Sequence, residues 1–428
     1  MGETPKIQRY VRPELLAPAG GREQLEYAIR FGADAVYLAT ERFGMRKRAS
    51  NFSIAELPEV VAYAHEHGVR VHVACNVVVQ DRQLGELASY AEAVERAGAD
   101  ALIVSDLGAL RVLRRHAPHV AIHVSTQASV ANAEAALVWY GLGATRIVCA
   151  REMSLEQIAA MRRKVPDDLE LEAFVHGSMC MAYSGRCMVS DYLTGRAANG
   201  GNCTQPCRWE WRLQEPSRPD QVFGVEEDEE GSYLFNSCDL NMVAHLDALV
   251  AAGVDSVKLE GRGRKAFYVA TVTNAYRRVL DGAEAADVAG ELETISHRPY
   301  STGFYFGPAH QAPRSRGSEQ GWLWVAEVVG TSLKCDDGWE TEVVARNRFA
   351  VGDVLEVLSP GIPTGRVVVR GLRWEHLGED GSHLDEPVAV AGRQMERYRL
   401  TGTAPLKPYD ILRRRIDEKP MGCDEPWA

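Results

Sequence analysis

Short apolar segments alternate with amphipathic helical patterns along the first 260 residues or so, and this alternation constrains the fold more than any other feature. Five helical patterns end in glycine just before the next apolar segment, as in FGAD, EHGV, RAGAD, GLGA and AAGVD, which is typical of helix termination. The predicted strands are Glu14–Ala17, Ala35–Ala39, Arg70–Val78, Ala101–Ser105, Ala121–Ser125, Arg146–Ala150, Leu169–Val175 and Ser256–Leu259. Eight such units over about 250 residues predict an α/β fold, a (β/α)8 TIM-like barrel. An open doubly wound sheet is the alternative, although no GxGxxG follows the first strand.

The C-terminal ends of the strands in such a barrel form the face that carries the chemistry. Polar residues that we expect near this face are Glu14, Tyr37, Asn76, Asp106, Gln127, Arg151 and His176, with Lys258, Glu260 and Arg262 following the eighth strand. Each of them has an alternative interpretation as a structural group that caps a strand. Their shared position at one end favours an active face.

The segment HVSTQAS places His123, Ser125 and Gln127 at alternating positions, so their side chains share one face of a strand. They predict either a polar pocket inside the barrel or a hydrogen-bonded core layer. A histidine and a serine on one strand do not supply the base and orienting acid of a catalytic triad. The chain also has no GxSxG elbow and no HExxH zinc site.

Four of the nine cysteines fall in one short segment, EAFVHGSMCMAYSGRCMVS followed by GGNCTQPCRW. They are Cys180, Cys187, Cys203 and Cys207. Disulfides need an oxidising compartment, and structural zinc sites usually space paired cysteines two to four residues apart, which fits only the last pair. An iron–sulfur cluster accepts more varied spacings. From the residues alone, a cluster is favoured over zinc and over unliganded thiols.

Beyond Gly321 the pattern changes to a period of two, which predicts a small β-barrel. The expected domains are a TIM-like catalytic barrel over residues 1–295 with its cysteine cluster at 172–208, a linker over 296–320, the small β-barrel domain over 321–416, and a tail over 417–428. The acidic run PSRPDQVFGVEEDEEG is expected to form a solvated hairpin or loop.

The net charge of −11 counts against a nucleic-acid ligand unless basic residues cluster. They do cluster, in four groups that contain Arg46, Arg262, Arg314 and Arg413, and a basic rim steers polyanions. Ordinary surface charge is the alternative explanation. No apolar stretch reaches the length of a membrane span, and the first residues lack a signal-peptide pattern. The expected location is therefore a reducing cytoplasm.

Five segments in order carry a resemblance that covers nearly the whole chain. They are ELLAPAGG, HVSTQASVAN, the run from Glu172 to Ser190, CTQPCRW, and VKLEGRGRKAFYVATVTNAYR. With them the chain resembles the collagenase-like peptidases of family U32. Within that family it is most similar to the prephenate-dependent tRNA uridine hydroxylases.

The resemblance implies an enzyme that forms 5-hydroxyuridine at the tRNA wobble position, with prephenate as the hydroxyl donor and a [4Fe–4S] cluster on Cys180, Cys187, Cys203 and Cys207. Cys238 is interpreted as a spare thiol, because the similar proteins carry lysine there. The electron donor is not identified by the sequence.

The dicarboxylate prephenate fits arginine or lysine clamps, for which Arg151, Lys258 and Arg262 are the candidates. Glu172 and His176 are candidate proton-transfer groups, and Lys258 and Glu260 complete the predicted catalytic set. Gln127 is a further substrate-binding candidate. Tyr37 and Tyr183 are candidate aromatic platforms for a flipped uridine.

Several alternatives remain open at this point. Members of the same family hydroxylate ribosomal RNA or take part in oxygen-independent ubiquinone synthesis, although the ubiquinone proteins lack this kind of appended β-domain. A non-catalytic iron–sulfur scaffold is another class. Peptidase activity is disfavoured, because no residues are found that would carry it.

Overall fold

The structure is a computed structural model. It describes residues 12–45, 51–179, 187–204, 206, 213–214, 222–223, 227–228, 231–232, 238–307, 321–377 and 383–416. Contacts divide the chain into two units. The first comprises Met1–Ile29, Ala33–Ala285 and His297–Ser318, and the second comprises Arg30–Gly32, Ala286–Ser296 and Glu319–Ala428.

Parallel strands and helices alternate in the first unit as the sequence predicts. Its first seven strands are β1 (Glu14–Pro18), β2 (Ala35–Ala39), β3 (Arg70–Cys75), β4 (Ala101–Val104), β5 (Ala121–Val124), β6 (Arg146–Val148) and β7 (Glu170–Ser178). The helices between them are α1 (Arg22–Arg30), α2 (Leu57–Glu66), α3 (Leu84–Arg96), α4 (Leu107–His116), α5 (Ala133–Gly141) and α6 (Leu155–Arg162). Because helices cover the outside, these short strands are buried along almost their whole length.

A long insertion separates β7 from the last strand of the barrel. It contains α7 (Val189–Thr194), β8 (Leu213–Gln214), β9 (Val222–Phe223), β10 (Glu227–Asp228), β11 (Gly231–Ser232), β12 (Asp239–Asn241) and α8 (Leu246–Ala251). The pairs β8–β9 and β10–β11 are antiparallel, in and beside the acidic segment predicted as a hairpin or loop.

Strand β13 (Ser256–Leu259) closes the barrel, because it pairs in parallel with both β1 and β7. The predicted barrel is therefore confirmed and the open sheet is excluded. Helix α9 (Ala266–Leu280) follows β13, and α10 (Ala286–Leu292) comes next. In the described part of the chain, none of the helices has the length and apolarity that crossing a membrane requires.

The recurring glycines at the helix ends adopt the backbone conformation that their position predicts. Gly68 after α2 has φ of 73° and Gly253 after α8 has φ of 85°, a region that residues with a Cβ atom avoid. At Gly253 a Cβ atom would also lie 2.4 Å from the Arg162 side chain. Both the turn and the packing therefore require glycine there.

The segment predicted as a linker, 296–320, is partly folded into the first unit. Strand β14 (Tyr300–Ser301) pairs in parallel with β12, and the Tyr305 hydroxyl donates a 2.5 Å hydrogen bond to the Phe174 carbonyl. Conversely, α10 belongs to the second unit, although the sequence-based boundary placed it in the barrel. Within that unit the Thr364 hydroxyl donates to Glu291 over 3.1 Å, and Arg413 donates to the Thr294 hydroxyl over 2.9 Å.

The second unit is an antiparallel β-structure. Its strands are β15 (Trp322–Val328), β16 (Leu333–Cys335), β17 (Gly338–Ala345), β18 (Phe349–Ala350), β19 (Val354–Leu358), β20 (Gly365–Leu377), β21 (His383–Val388), β22 (Val390–Ala391), β23 (Arg397–Gly402) and β24 (Ile411–Arg415). Since β15 pairs with both β24 and β17, the sheet closes into the small barrel that the period of two predicts. Its apolar core contains Val325, Phe349 and Leu400.

Candidate functional site in the barrel

An ion network of Glu14, Arg146, Glu172 and Lys258 lies inside the barrel. The Arg146 guanidinium, 1% exposed, donates to Glu14 over 2.6 Å and to Glu172 over 2.9 Å. The Lys258 ammonium lies 2.7 Å from the other Glu172 oxygen. Glu14 and Arg146 each begin a strand, so this network occupies the N-terminal half of the barrel. The expectation that Glu14 lies at the C-terminal face is wrong, because Glu14 is the first residue of β1.

Both buried carboxyl groups of this network are ionised. Burial by itself raises the pKa of Glu172, but Lys258 and Arg146 more than offset it, and the net pKa is lowered. Burial also opposes ionisation of Glu14, yet Arg146 and His72 lower its pKa to about 2. Glu172 thus has the geometry of a structural counter-ion, and its role in proton transfer stays a prediction.

Two histidines pack edge to face beside the network. The ring centroids of His72 and His123 are 4.7 Å apart. Burial lowers the pKa of His72 to about 4 and the pKa of His123 well below its ordinary value. Both rings are therefore neutral near pH 7.

Acidification is expected to destabilise the barrel through these two histidines and through His176, whose pKa burial lowers to about 3. Because the unfolded chain titrates near pH 6.5 and folded His72 near 4, the unfolded state binds more protons within that window. The free energy of unfolding should fall by about 1.4 kcal/mol per pH unit for each histidine as pH drops through it. Glu14 contributes only below about pH 4.5. Denaturant unfolding of the full chain between about pH 7 and pH 4.5 measures how steeply the free energy of unfolding depends on pH. His123→Gln should make this pH dependence less steep. A free energy of unfolding that does not change with pH in the wild-type protein would contradict the assignment of neutral, buried histidines.

Around Phe174 the structure brings four predicted site residues together, namely Arg151, Glu260, Lys258 and Tyr37. The Arg151 guanidinium stacks 3.8 Å from the Phe174 ring centroid and lies 3.2 Å from Glu260. The Lys258 ammonium lies 5.5 Å from the same centroid and 4.5 Å from that of Tyr37. Phe174 was missed by sequence reasoning, although its alternation with Glu172 along β7 is the signal that identifies it.

Tyr37 is unsuited to the platform role in this conformation. Its ring is 5% exposed, its hydroxyl donates to the Leu259 carbonyl over 2.9 Å, and Lys258 lies against the ring. Because the Lys258 ammonium lies over the ring, a stacked base cannot take that position. The prediction that Tyr37 contacts substrate therefore gains no support from the geometry, and Tyr183 lies outside the described residues.

His176 is separated from the other candidates by an irregularity in its strand. The register between β7 and β13 shifts at Lys258/Leu259, and Gly177 adopts φ of 100°. His176 consequently packs against Tyr276 of α9 and Tyr300, with ring centroids 5.5 and 5.4 Å away. Burial lowers the pKa of His176 to about 3, so the imidazole is neutral. Its predicted proton-transfer role remains untested.

Arg262 joins two loops at the mouth of the barrel. It is 6% exposed, and its guanidinium donates to the Met45 carbonyl. Its own carbonyl approaches Gly20 so closely that a Cβ atom there would lie 1.9 Å from the oxygen. The APAGG and KLEGR segments therefore meet only because residue 20 is glycine.

A cavity of about 350 Å³, the mouth pocket, opens at the C-terminal ends of β3, β4 and β5. Its main lining residues are Met45, Asn76, Ser105, Gln127, Trp139 and Asn199. Of the predicted face residues, Asn76 and Gln127 line it, whereas Asp106 caps α4 by accepting from the Ala109 amide over 2.7 Å. No sequence pattern selects Trp139, because it lies on a helix rather than at the end of a strand.

Only two of the four predicted cluster ligands, Cys187 and Cys203, lie in the described residues, and Cys180 and Cys207 lie outside them. The Ser190 hydroxyl accepts from the Thr204 amide over 3.0 Å, which ties the chain next to Cys203 to the helix that follows Cys187. Among the described residues, no group of three metal-ligating side chains is found, and their cysteines form no disulfide with one another. The described donors are thus compatible with a thiolate site but do not complete one.

Cys238 is also among the described residues, and it directly precedes β12. Strand β12 pairs antiparallel with β7 and sets Asp239 opposite Ser178. Cys238 therefore lies beside the end of β7.

Ser125 and His123 do not form a nucleophile–base pair. The Ser125 hydroxyl accepts from Asn76 over 3.2 Å and from the Gln127 amide over 3.3 Å, whereas the His123 ring packs on His72. This geometry agrees with the absence of a serine-hydrolase pattern in the sequence.

Together these features define a two-unit protein, a closed parallel barrel with a charged interior and a polar mouth pocket, followed by a small antiparallel barrel. The chain belongs to Peptidase family U32: the family profile matches residues 20–314, and the profile of the family's C-terminal domain matches residues 324–413.

Three relatives bear on function. The chain is 35% identical over 415 residues to tRNA hydroxylation protein P1 of Bacillus subtilis, covering 94% of this chain and 95% of that one. It is 34% identical to tRNA hydroxylation protein P of Escherichia coli, covering 82% and 86%. It is 37% identical to the 23S rRNA 5-hydroxycytidine C2501 synthase of Escherichia coli, covering 72% of this chain and 44% of the relative.

Proposed function

We propose that the protein is an RNA-modifying hydroxylase that converts the wobble uridine of tRNA to 5-hydroxyuridine, with prephenate as the hydroxyl donor. The observation that carries the proposal is the 35% identity to a tRNA hydroxylation protein over 94% of the chain, which includes both units. The ribosomal RNA enzyme matches only through 44% of its own length, which favours tRNA over ribosomal RNA as the substrate. The proposed location is the cytoplasm.

A [4Fe–4S] cluster is part of the proposal, with Cys180, Cys187, Cys203 and Cys207 as its ligands. Such a cluster supplies a redox-active iron centre, and four thiolates satisfy its ligand requirement. The Ser190–Thr204 contact supports the proposal, because it fixes the chain beside two of these cysteines. The iron content of anaerobically purified protein measures this part directly.

The two carboxylates of prephenate require cationic partners. Arg151 and Arg262 are the proposed partners near the mouth, and both are buried against other groups, Glu260 and the Met45 carbonyl. Buried guanidinium groups are held in place and therefore ready to pair with a planar carboxylate. A substrate carboxylate would bind beside these contacts.

Arg262→Ala is expected to raise the prephenate requirement about ten- to hundredfold, because it removes a charge-assisted hydrogen bond. Arg262→Lys should recover only part of the activity, since an ammonium cannot form two parallel bonds. The measurement holds tRNA saturating while prephenate varies, and then reverses the roles. Arg264→Ala, two residues further on, is the matched control. A mutant whose tRNA requirement rises while its prephenate requirement is unchanged would instead make Arg262 a phosphate contact.

The function itself is tested by mass spectrometry of nucleosides from a deletion strain. We expect 5-hydroxyuridine and its derivatives to disappear from tRNA and to return with the wild-type gene. Unchanged tRNA with altered ribosomal RNA would support the ribosomal alternative. Unchanged RNA of both kinds would refute a hydroxylase and leave the scaffold interpretation.

A further inference from the structure

The described residues that line the mouth pocket are uncharged, which bears on what the pocket can bind. Asn76, Gln127 and Asn199 contribute amides, Ser105 contributes a hydroxyl, and no charged residue is among the described residues that line it. Its volume of about 350 Å³ falls in the range of roughly 300–1,000 Å³ that is usual for small-molecule sites. Among these described residues, a dicarboxylate or a phosphate would find no cation. A neutral polar ring matches the lining better.

Gln127 lies in a turn that hydrogen bonds hold in place. Its backbone amide donates to the Ser125 hydroxyl, and the neighbouring Thr126 hydroxyl donates to the Cys149 carbonyl over 3.2 Å. These contacts fix the turn after β5. The Gln127 Oε1 atom is nevertheless buried without a hydrogen-bond partner in the described part of the chain. A buried amide oxygen is destabilising unless a donor reaches it, so a ligand with an N–H group is the natural partner.

Trp139 adds an aromatic surface to the same cavity. It lies on α5, is 9% exposed and lines the pocket with Gln127. Enzymes that act on a base within a nucleic acid take it out of the stack and hold it between aromatic or apolar side chains. The pocket therefore combines a stacking surface with an amide that reads a hydrogen-bonding edge.

We propose that the mouth pocket binds the target uracil base itself, with Gln127 pairing to its Watson–Crick edge and Trp139 forming the stacking surface. Uracil presents an N–H donor between two carbonyl acceptors, and a carboxamide satisfies the donor and one acceptor at once. This inference rests on the proposed function and assigns the base to this pocket rather than to Tyr37. Prephenate would then bind outside it, toward Arg151 and Arg262.

Base-dependent binding of RNA tests the assignment without requiring turnover. The probes are two short RNA hairpins that differ only at the wobble position, one with uridine and one with an abasic nucleotide. Fluorescence anisotropy with the full-length, anaerobically purified protein measures both affinities. We expect the uridine hairpin to bind at least about fivefold more tightly, as stacking of one base predicts. Equal affinities for the wild-type protein would overturn the inference.

Variants of the pocket should bind the uridine hairpin and the abasic hairpin with equal affinity. Their affinity for the abasic hairpin should be the same as that of the wild-type protein. Gln127→Ala removes the amide, and Gln127→Glu replaces its donor with an acceptor that repels a uracil carbonyl. Trp139→Leu keeps most of the buried volume while removing the aromatic face. Val138→Ala, at an exposed position on the same helix, is the control that should retain the preference. Thermal melting verifies that each variant is folded.

Two further outcomes separate this inference from the proposed function. A protein that prefers the uridine hairpin but leaves tRNA nucleosides unchanged on deletion would support the pocket and refute the hydroxylase. A Gln127→Ala variant that still prefers the uridine hairpin but requires more prephenate would overturn the inference. The mouth pocket would then be assigned as the prephenate site.

Discussion

Replacing Arg146 with methionine is expected to lower the free energy of unfolding of the barrel by about 3–5 kcal/mol. The guanidinium is 1% exposed and lies between Glu14 and Glu172. Its removal leaves two carboxylates in the barrel interior with less compensation, and breaking one side of a buried ion network costs far more than losing a surface pair. Lys258 and Ser256 still contact these carboxylates, which places the effect toward the lower end of the range.

Denaturant unfolding of the full chain measures this effect. Arg96→Met is the matched control, since Arg96 and Glu92 form an exposed pair with side chains 71% and 48% accessible, and such pairs contribute little. Arg146→Met combined with Glu14→Gln should recover part of the loss, because Glu172 keeps the Lys258 ammonium 2.7 Å away whereas Glu14 has lost its buried cation. An Arg146→Met protein as stable as the Arg96→Met control would show that the network does not stabilise the fold.

Alanine at Cys180, Cys187, Cys203 or Cys207 is expected to abolish the cluster and with it all hydroxylation. Each change removes one of four thiolate ligands. Protein purified without oxygen should contain about four irons per chain, and each variant should contain far less. Iron analysis, the visible absorption of the cluster and the nucleoside assay measure the loss independently.

Two cysteines provide controls for this experiment. Cys335→Ala is an exposed position in the second unit and should retain full iron content. Cys238→Ala should keep most of the iron if Cys238 is a spare thiol. If Cys238→Ala strips the iron while Cys207→Ala keeps it, the ligand assignment is wrong. Stoichiometric zinc in anaerobic protein would reject the cluster.

The order and type of the barrel elements were predictable from the sequence, because they depend on local patterns. Apolar segments such as AVYLA, which is buried on both faces, identify individual strands. Glycines such as Gly68 identify individual helix ends. The period of two beyond Gly321 predicted the second barrel for the same reason. The position of Gln127 at the mouth followed from where its strand ends.

Which side chains meet inside the barrel was decided only by the tertiary structure. Glu14 and Arg146 are 132 positions apart, and their pairing depends on strand tilt and register around the closed sheet. The shift between β7 and β13 that separates His176 from Lys258, and the packing of α5 that brings Trp139 to Gln127, have no local signal either. Local propensity depends on neighbours in the chain, whereas the charge partners of a buried residue depend on the whole fold. The sequence therefore determined the elements and the mouth position of Asn76 and Gln127, and the tertiary structure determined which candidates form a counter-ion network and which line a pocket.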